Sequence, residues 1–150
     1  MRRRTIMTFF LALLVALLLF GCVTQLEGAQ SQKDIEFLLK KAHSISLSEE
    51  GVNRLQVGEI CSFRGDEKQS IPYRWRYYIS DENVMGIFDN SYKIAPGSRP
   101  VSGGDKGWRL FYFEALSPGE CVITIRYEDI RDGDYLENES YTYTIVVTDK

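Results

Sequence analysis

The chain has 150 residues, of which 44% are hydrophobic, 13% aromatic and 26% charged, with a formal net charge of −3. That length holds one domain beside a short leader, and the acidic balance excludes nucleic acid as a partner, because phosphate backbones would be repelled. With a single histidine, His43, and no HExxH, Cys-x-x-Cys or Gly-x-Ser-x-Gly, neither a zinc site nor a serine triad can be assembled, so no metal, no cofactor and no enzymatic activity are expected.

The chain opens with three arginines, an apolar run from Phe9 to Phe20, and then Gly21-Cys22. A charged segment followed by an apolar one is the pattern of an export signal. Leu19-Phe20-Gly21-Cys22 resembles a bacterial lipobox, which implies a lipoprotein signal peptide over 1–21 and a lipid on Cys22 as the membrane anchor. The alternative is an uncleaved membrane helix, since the run from Ile6 to Val23 is just long enough to span. Either way the domain is exported, and the lipoprotein reading places it on the bacterial cell envelope, on its periplasmic or surface side. Loss of the signal removes three of the eighteen basic residues and none of the twenty-one acids, leaving −6. A domain that acidic does not adhere to an anionic membrane by charge, so lipid has to hold it there.

Residues 22–43 form a tether, polar and aperiodic at first. Asp34 is placed to cap a short helix ending at Ala42, with Ile35, Leu38, Leu39 and Ala42 at helical spacing. A helix of that length needs a docking partner to persist. From residue 44 to 150 the pattern is that of strands. Ile45 and Leu47 alternate, Glu49-Glu50-Gly51 turns, Leu55 and Val57 alternate again, and Gly58 opens the segment EICSFRG. A loop from Asp66 to Pro72 leads to YRWRYYI, where Tyr73, Trp75 and Tyr77 share a face. Two shorter extended pieces follow, Val84 to Phe88 and Tyr92 to Ala95. A Gly/Pro/Ser loop from Pro96 to Gly107 precedes an aromatic strand, a Pro118-Gly119 turn, and a strand with Cys121, Ile123, Ile125 and Tyr127 on one face. An acidic loop, Asp129 to Asn138, separates this from a last strand, Tyr141 to Val147.

Many short β-branched and aromatic runs with almost no helix indicate an all-β fold, an antiparallel β-sandwich. Cys61, Trp75 and Cys121 follow the Cys…Trp…Cys order of immunoglobulin-like domains and are expected to meet in its interior. Gly119 stands two residues before the second cysteine, where a tyrosine is usual. Cys61 and Cys121 are either a disulfide, as an even pair in an exported domain suggests, or two separate buried thiols.

Other signals have plainer readings. A Cys61–His43 dyad is countered by the apolar strand face of Cys61, where a thiol is inert. Arg74 and Arg76 alternate with Tyr73, Trp75 and Tyr77, as on a half-buried strand, rather than forming a base-stacking platform. The acids Asp129, Asp132, Asp134, Glu137 and Glu139 lack the spacing of a twelve-residue calcium loop and read as solvated. Arg64-Gly65-Asp66 falls at a strand end and not on a protruding tip. Asn138-Glu139-Ser140 is a sequon only in a host that glycosylates.

Several of these pieces occur together in one family. LQVGE (Leu55 to Glu59), Tyr73-x-Trp75, Gly103-Gly104, Glu114-Ala115-Leu116, Pro118-Gly119, Tyr127 and Tyr143-x-Ile145 resemble, in order and spacing, the chagasin family of immunoglobulin-like inhibitors of papain-type cysteine peptidases. The resemblance covers Ile45 to Val147. It implies a monomeric sandwich whose three loops wedge into a papain-like peptidase cleft. The contact residues would be Ile71, Pro72 and Tyr73 in the first loop, Ser102, Gly103 and Gly104 in the second, and Asp129 and Ile130 in the third. Two loops depart from the family pattern. Ile71-Pro72-Tyr73 replaces a Thr-Gly before the aromatic, and Glu128-Asp129-Ile130 replaces Arg-Pro-Trp. A non-inhibitory envelope or surface module with a protein or glycan ligand is the alternative expectation.

Overall fold

The computed structural model describes residues 32–98 and 106–150. Residues 1–21, expected to be a signal peptide, and Cys22, Ser102, Gly103 and Gly104 lie outside the described residues. The chain divides into two compact units, Met1–Leu39 and Lys40–Lys150. A helix, α1, runs over 32–42, so Asp34 lies inside its first turn instead of capping it. Its apolar residues Ile35, Leu38 and Leu39 are more than half exposed, at 55%, 63% and 54%. Among the described residues no helix is long and apolar enough to cross a membrane.

Eight strands follow: β1 (Ile45–Ser46), β2 (Val52–Gln56), β3 (Ile60–Glu67), β4 (Tyr73–Ile79), β5 (Met85–Ile94), β6 (Gly107–Ala115), β7 (Gly119–Asp129) and β8 (Tyr135–Thr148). They make two four-stranded sheets, ordered β1-β3-β6-β5 and β2-β8-β7-β4. Six strands pair antiparallel, as expected, but both sheets are mixed: β1 runs parallel to β3, and β2 parallel to β8. The reason is the chain's crossing between β1 and β2, which sends one short strand to the edge of each sheet.

Period-two alternation builds the core. Cys61, Phe63, Phe111 and Phe113 point in from one sheet and meet Trp75, Cys121, Ile123, Ile125, Tyr143 and Ile145 from the other, all of them buried. A residue pointing inward is desolvated and its two chain neighbours are wet, so the pattern repeats along each strand. In the last turn of the helix, Lys40 Nζ reaches Glu114 at 2.8 Å and Lys41 Nζ reaches Asp89 at 2.5 Å, with the Tyr112 ring 4.6 Å from Lys41. These contacts lie on the outer face of the β6–β5 pair.

Three element boundaries differ from expectation. β3 continues through Asp66 to Glu67, which puts Arg64-Gly65-Asp66 inside a strand. The two extended pieces after Val84 are one strand, β5, whose register slips between Ile87 and Asp89; a bulge had broken the alternation in sequence. β8 begins at Tyr135, and its pairing with β7 jumps from Arg126↔Ser140 to Glu128↔Tyr135, so the last four residues of the expected acidic loop, 135–138, are an irregular stretch of strand.

The cysteines and the tryptophan occupy different parts of the core. Trp75 pairs with Tyr127, and its ring packs against Phe63, Tyr127 and Tyr141 at centroid distances of 5.0, 4.9 and 5.8 Å. Cys121 lies six residues back along β7, roughly 20 Å away at about 3.3 Å per residue. Cys61 and Cys121 are free thiols, both buried, so the bridge is not formed. Burial pushes the Cys61 thiol up to about 12, and the neighbouring Cys121 adds to the rise. In place of a disulfide, Trp75 packs on a glycine. A Cβ on Gly65 would lie 2.4 Å from the indole, whose Nε1 donates to the Asp66 carbonyl at 2.8 Å.

Candidate binding pole

Strand register places three connections at one end of the sandwich. Glu67, which ends β3, pairs with Gly107, which starts β6, and Gly107 also pairs with Ile94, which ends β5. Tyr73, which starts β4, pairs with Asp129, which ends β7. The β3–β4, β5–β6 and β7–β8 connections therefore leave from the same pole. The base of the β5–β6 connection is closed by Ala95 N–H donating to the Lys106 carbonyl at 2.8 Å and Lys106 N–H donating to Ser98 Oγ at 2.7 Å.

The first and third connections are joined directly. Ile130 N–H donates to the Pro72 carbonyl at 2.8 Å, one step beyond the β4–β7 ladder. Proline has no N–H, but this position uses its carbonyl, so the ladder loses nothing. Ile71 and Ile130 stand out to solvent, 40% and 55% exposed, while Pro72 and Tyr73 are half-buried and Asp129 is buried. Tyr73 stacks at 5.6 Å on Tyr127. Of the expected contact residues, the structure thus brings Ile71, Pro72, Tyr73, Asp129 and Ile130 together, with two apolar side chains projecting from the joined loops.

The first and third loops are each held by an arginine, Arg74 and Arg131, in a role that the sequence did not assign to them. Arg74 turns its guanidinium back onto the β3–β4 loop and donates to the carbonyls of Gln69 (2.9 Å), Ile71 (2.6 Å) and Tyr73 (2.6 Å), and more weakly to Lys68. Burial raises the Tyr127 hydroxyl above its ordinary value. In the third loop, Asp129 accepts from Arg131 main-chain N–H and Nε, both at 2.9 Å, and forms an ion pair with Arg131 Nη2. The Arg131 guanidinium holds the Asp129 carboxyl below its usual range. Gly133, at φ 81°, closes the turn by donating to the Asp129 carbonyl at 2.9 Å.

Beneath the loops sits a fully buried carboxylate. Glu67 takes Arg109 Nη2 at 2.7 Å and Trp75 N–H at 3.1 Å, with Arg74 Nε 4.0 Å away. These bonds tie β3, β4 and β6 together where the core ends. Glu67 could have been found in the sequence, because it continues the inward series Cys61, Phe63, Gly65. Arg74 and Arg109 carry no such signal, since their role depends on partners supplied by other strands. Among the described residues no group of three His, Cys, Asp or Glu side chains is arranged to hold a metal ion. An open groove of about 1200 Å³ descends from this pole, bordered by Lys68, Ile71 and Lys106 and floored by Phe63, Trp75 and Tyr127.

Comparison with known proteins follows the same lines. The family model described as chagasin family peptidase inhibitor I42 matches residues 54–145. Among solved structures, the cysteine protease inhibitor EhICP2 from Entamoeba histolytica is similar at 18% identity, with a TM-score of 0.54 over 71% of this chain and 95% of that one. Amebosin aligns at 18% identity and a TM-score of 0.47, covering 71% of this chain and 98% of that one. PbICP-C, solved in complex with falcipain-2, aligns at 18% identity and 0.38, covering 72% and 90%. No curated protein matches.

Proposed function

The chain belongs to the chagasin family of peptidase inhibitors, and from that premise we propose that it inhibits papain-type cysteine peptidases, as a lipoprotein held on the bacterial cell envelope through Cys22. The observation that carries this reading is the convergence of three connections on one pole, two of them joined by the Ile130–Pro72 hydrogen bond. Loops braced in this way lose little ordering entropy on binding, which is how a wedge gains affinity from a modest contact area. Ile71 and Ile130 supply apolar tips. Ser102, Gly103 and Gly104 are proposed to present main chain between them. The role of all these residues is shape-complementary contact, and they perform no chemistry on the peptidase. The protein acts as a monomer.

Titration of papain with the chain lacking residues 1–22 tests this. Stoichiometric loss of activity at micromolar or lower inhibitor supports it, and full activity at that concentration removes it. The signal and lipid are tested separately, by mass spectrometry of the protein extracted from a bacterial host: the expected species begins at Cys22 and carries acyl chains.

The groove beside the pole favours a second reading, a surface module that binds an envelope or host ligand. Its floor includes Trp75, so a ligand there would change tryptophan emission while papain remained active.

A further inference from the structure

The outer face of the β2-β8-β7-β4 sheet carries a pairing that stability alone disfavours. Arg76 on β4 stands directly opposite Arg126 on β7. Like charges directly opposite on antiparallel strands repel and cost stability unless something neutralises them. Neither guanidinium has an ion pair with a described carboxylate, and the buried Nε of Arg126 has no hydrogen-bond partner.

Glu128, two residues beyond Arg126 on the same face of β7, turns its carboxylate to Tyr78, whose hydroxyl donates its one proton between two oxygens 2.7 and 2.8 Å away. The Arg126 guanidinium is instead held between two rings, Tyr135 at 4.5 Å and Tyr78 at 5.7 Å from its central carbon. Tyr78 feels both positive charges at its hydroxyl, so the two arginines and the tyrosine form one cluster. The rings hold the Arg126 guanidinium in place, and Arg76 opposite it is exposed.

Two guanidiniums side by side, one immobilised by aromatic faces, form a fork that matches the oxygens of a phosphate group. We propose that Arg76 and Arg126 form a phosphate-binding site on this face, three residues along their strands from Tyr73 and Asp129 of the binding pole. The group would be a free phosphate or the phosphate of a lipid headgroup, which share this chemistry. The site is independent of peptidase inhibition.

The test is thermal unfolding of the full chain in neutral detergent. Solutions hold about 50 mM phosphate, or chloride at matched ionic strength, a concentration that stabilises measurably if binding is in the millimolar range. A third arm replaces part of the detergent with phosphatidylglycerol in chloride. Phosphate or the anionic lipid is expected to raise the unfolding temperature of the wild type above its value in chloride, and the responding arm identifies the source. Arg76→Gln is expected to lose that response. Arg76→Glu, which turns a like pair into an opposite one, is expected to be more stable than the wild type in chloride and indifferent to phosphate. No response of the wild type in either arm overturns the proposal, as does a response of either variant equal to that of the wild type. Papain inhibition by both variants is expected to match the wild type, so this proposal and the inhibitor reading fail separately.

Discussion

Ile130 and Pro72 are joined main chain to main chain, N–H to carbonyl, at 2.8 Å. The bond fastens the β7–β8 turn to the β3–β4 loop and extends the β4–β7 ladder past the last paired residues, Tyr73 and Asp129. A loop end built on a ladder inherits the stiffness of the sheet, so the residues at its tip are placed before any partner arrives.

That placement depends on Arg74, whose guanidinium ties down four loop carbonyls. Arg74→Ala is expected to cost about 1–2 kcal/mol of stability, because water can replace much of what is lost at a half-exposed site. The larger effect is on binding: the loop must then be ordered at the moment of contact, and papain inhibition is expected to weaken by about tenfold. Hydrogen exchange should show faster opening of residues 68–72 with the rest of β4 unchanged.

Glu67 behaves differently, because its side chain is wholly buried beside Arg109. Glu67→Ala leaves the Arg109 charge without its partner and is expected to destabilise by about 3–5 kcal/mol. Adding Arg109→Ala should recover part of that loss, since no charge is then stranded. Denaturant unfolding of the two single variants and the double variant measures the coupling. Strict additivity would mean that the pair does not act as a unit.

At Gly65 the indole of Trp75 occupies the space a side chain would need, 2.4 Å from an added Cβ. Gly65→Ala therefore has to push the ring out of its place among Phe63, Tyr127 and Tyr141. The expected cost is about 1–3 kcal/mol, typical of overpacking. A shift of tryptophan emission toward that of a more exposed ring should accompany the lower unfolding midpoint.

Acid should release the third loop. The Arg131 guanidinium holds the Asp129 carboxyl below its ordinary range. A carboxylate depressed in the folded state contributes stability that is fully present above its unfolded value, and that contribution is lost as pH falls through the folded one. Asp129→Asn is therefore expected to lower the unfolding temperature near neutrality, and the difference from the wild type should close as pH drops below the ordinary carboxylate range. Thermal scans of both proteins from neutral pH down into that range give the comparison.

The inward-facing residues were legible from the amino-acid order alone. Trp75, Cys121, Ile123, Ile125, Tyr143 and Ile145 alternate with wet neighbours because each strand has one buried face, and that constraint is written locally. The family's scattered signatures, from Leu55 to Ile145, were legible for the same reason: most of them are inward aromatics, glycines or turns. What required the folded molecule was everything set by partners distant along the chain. Parallel β1 and β2, the slip at Ile87/Asp89 and the early start of β8 depend on register with other strands. The separation of Trp75 from two unbridged cysteines depends on how far along each strand the sheets meet. Arg74 and Arg109 look like ordinary surface charges until neighbouring strands bring loop carbonyls and the Glu67 carboxylate within bonding distance. Burial leaves a periodic trace in sequence, whereas the pairing of polar groups across strands leaves none.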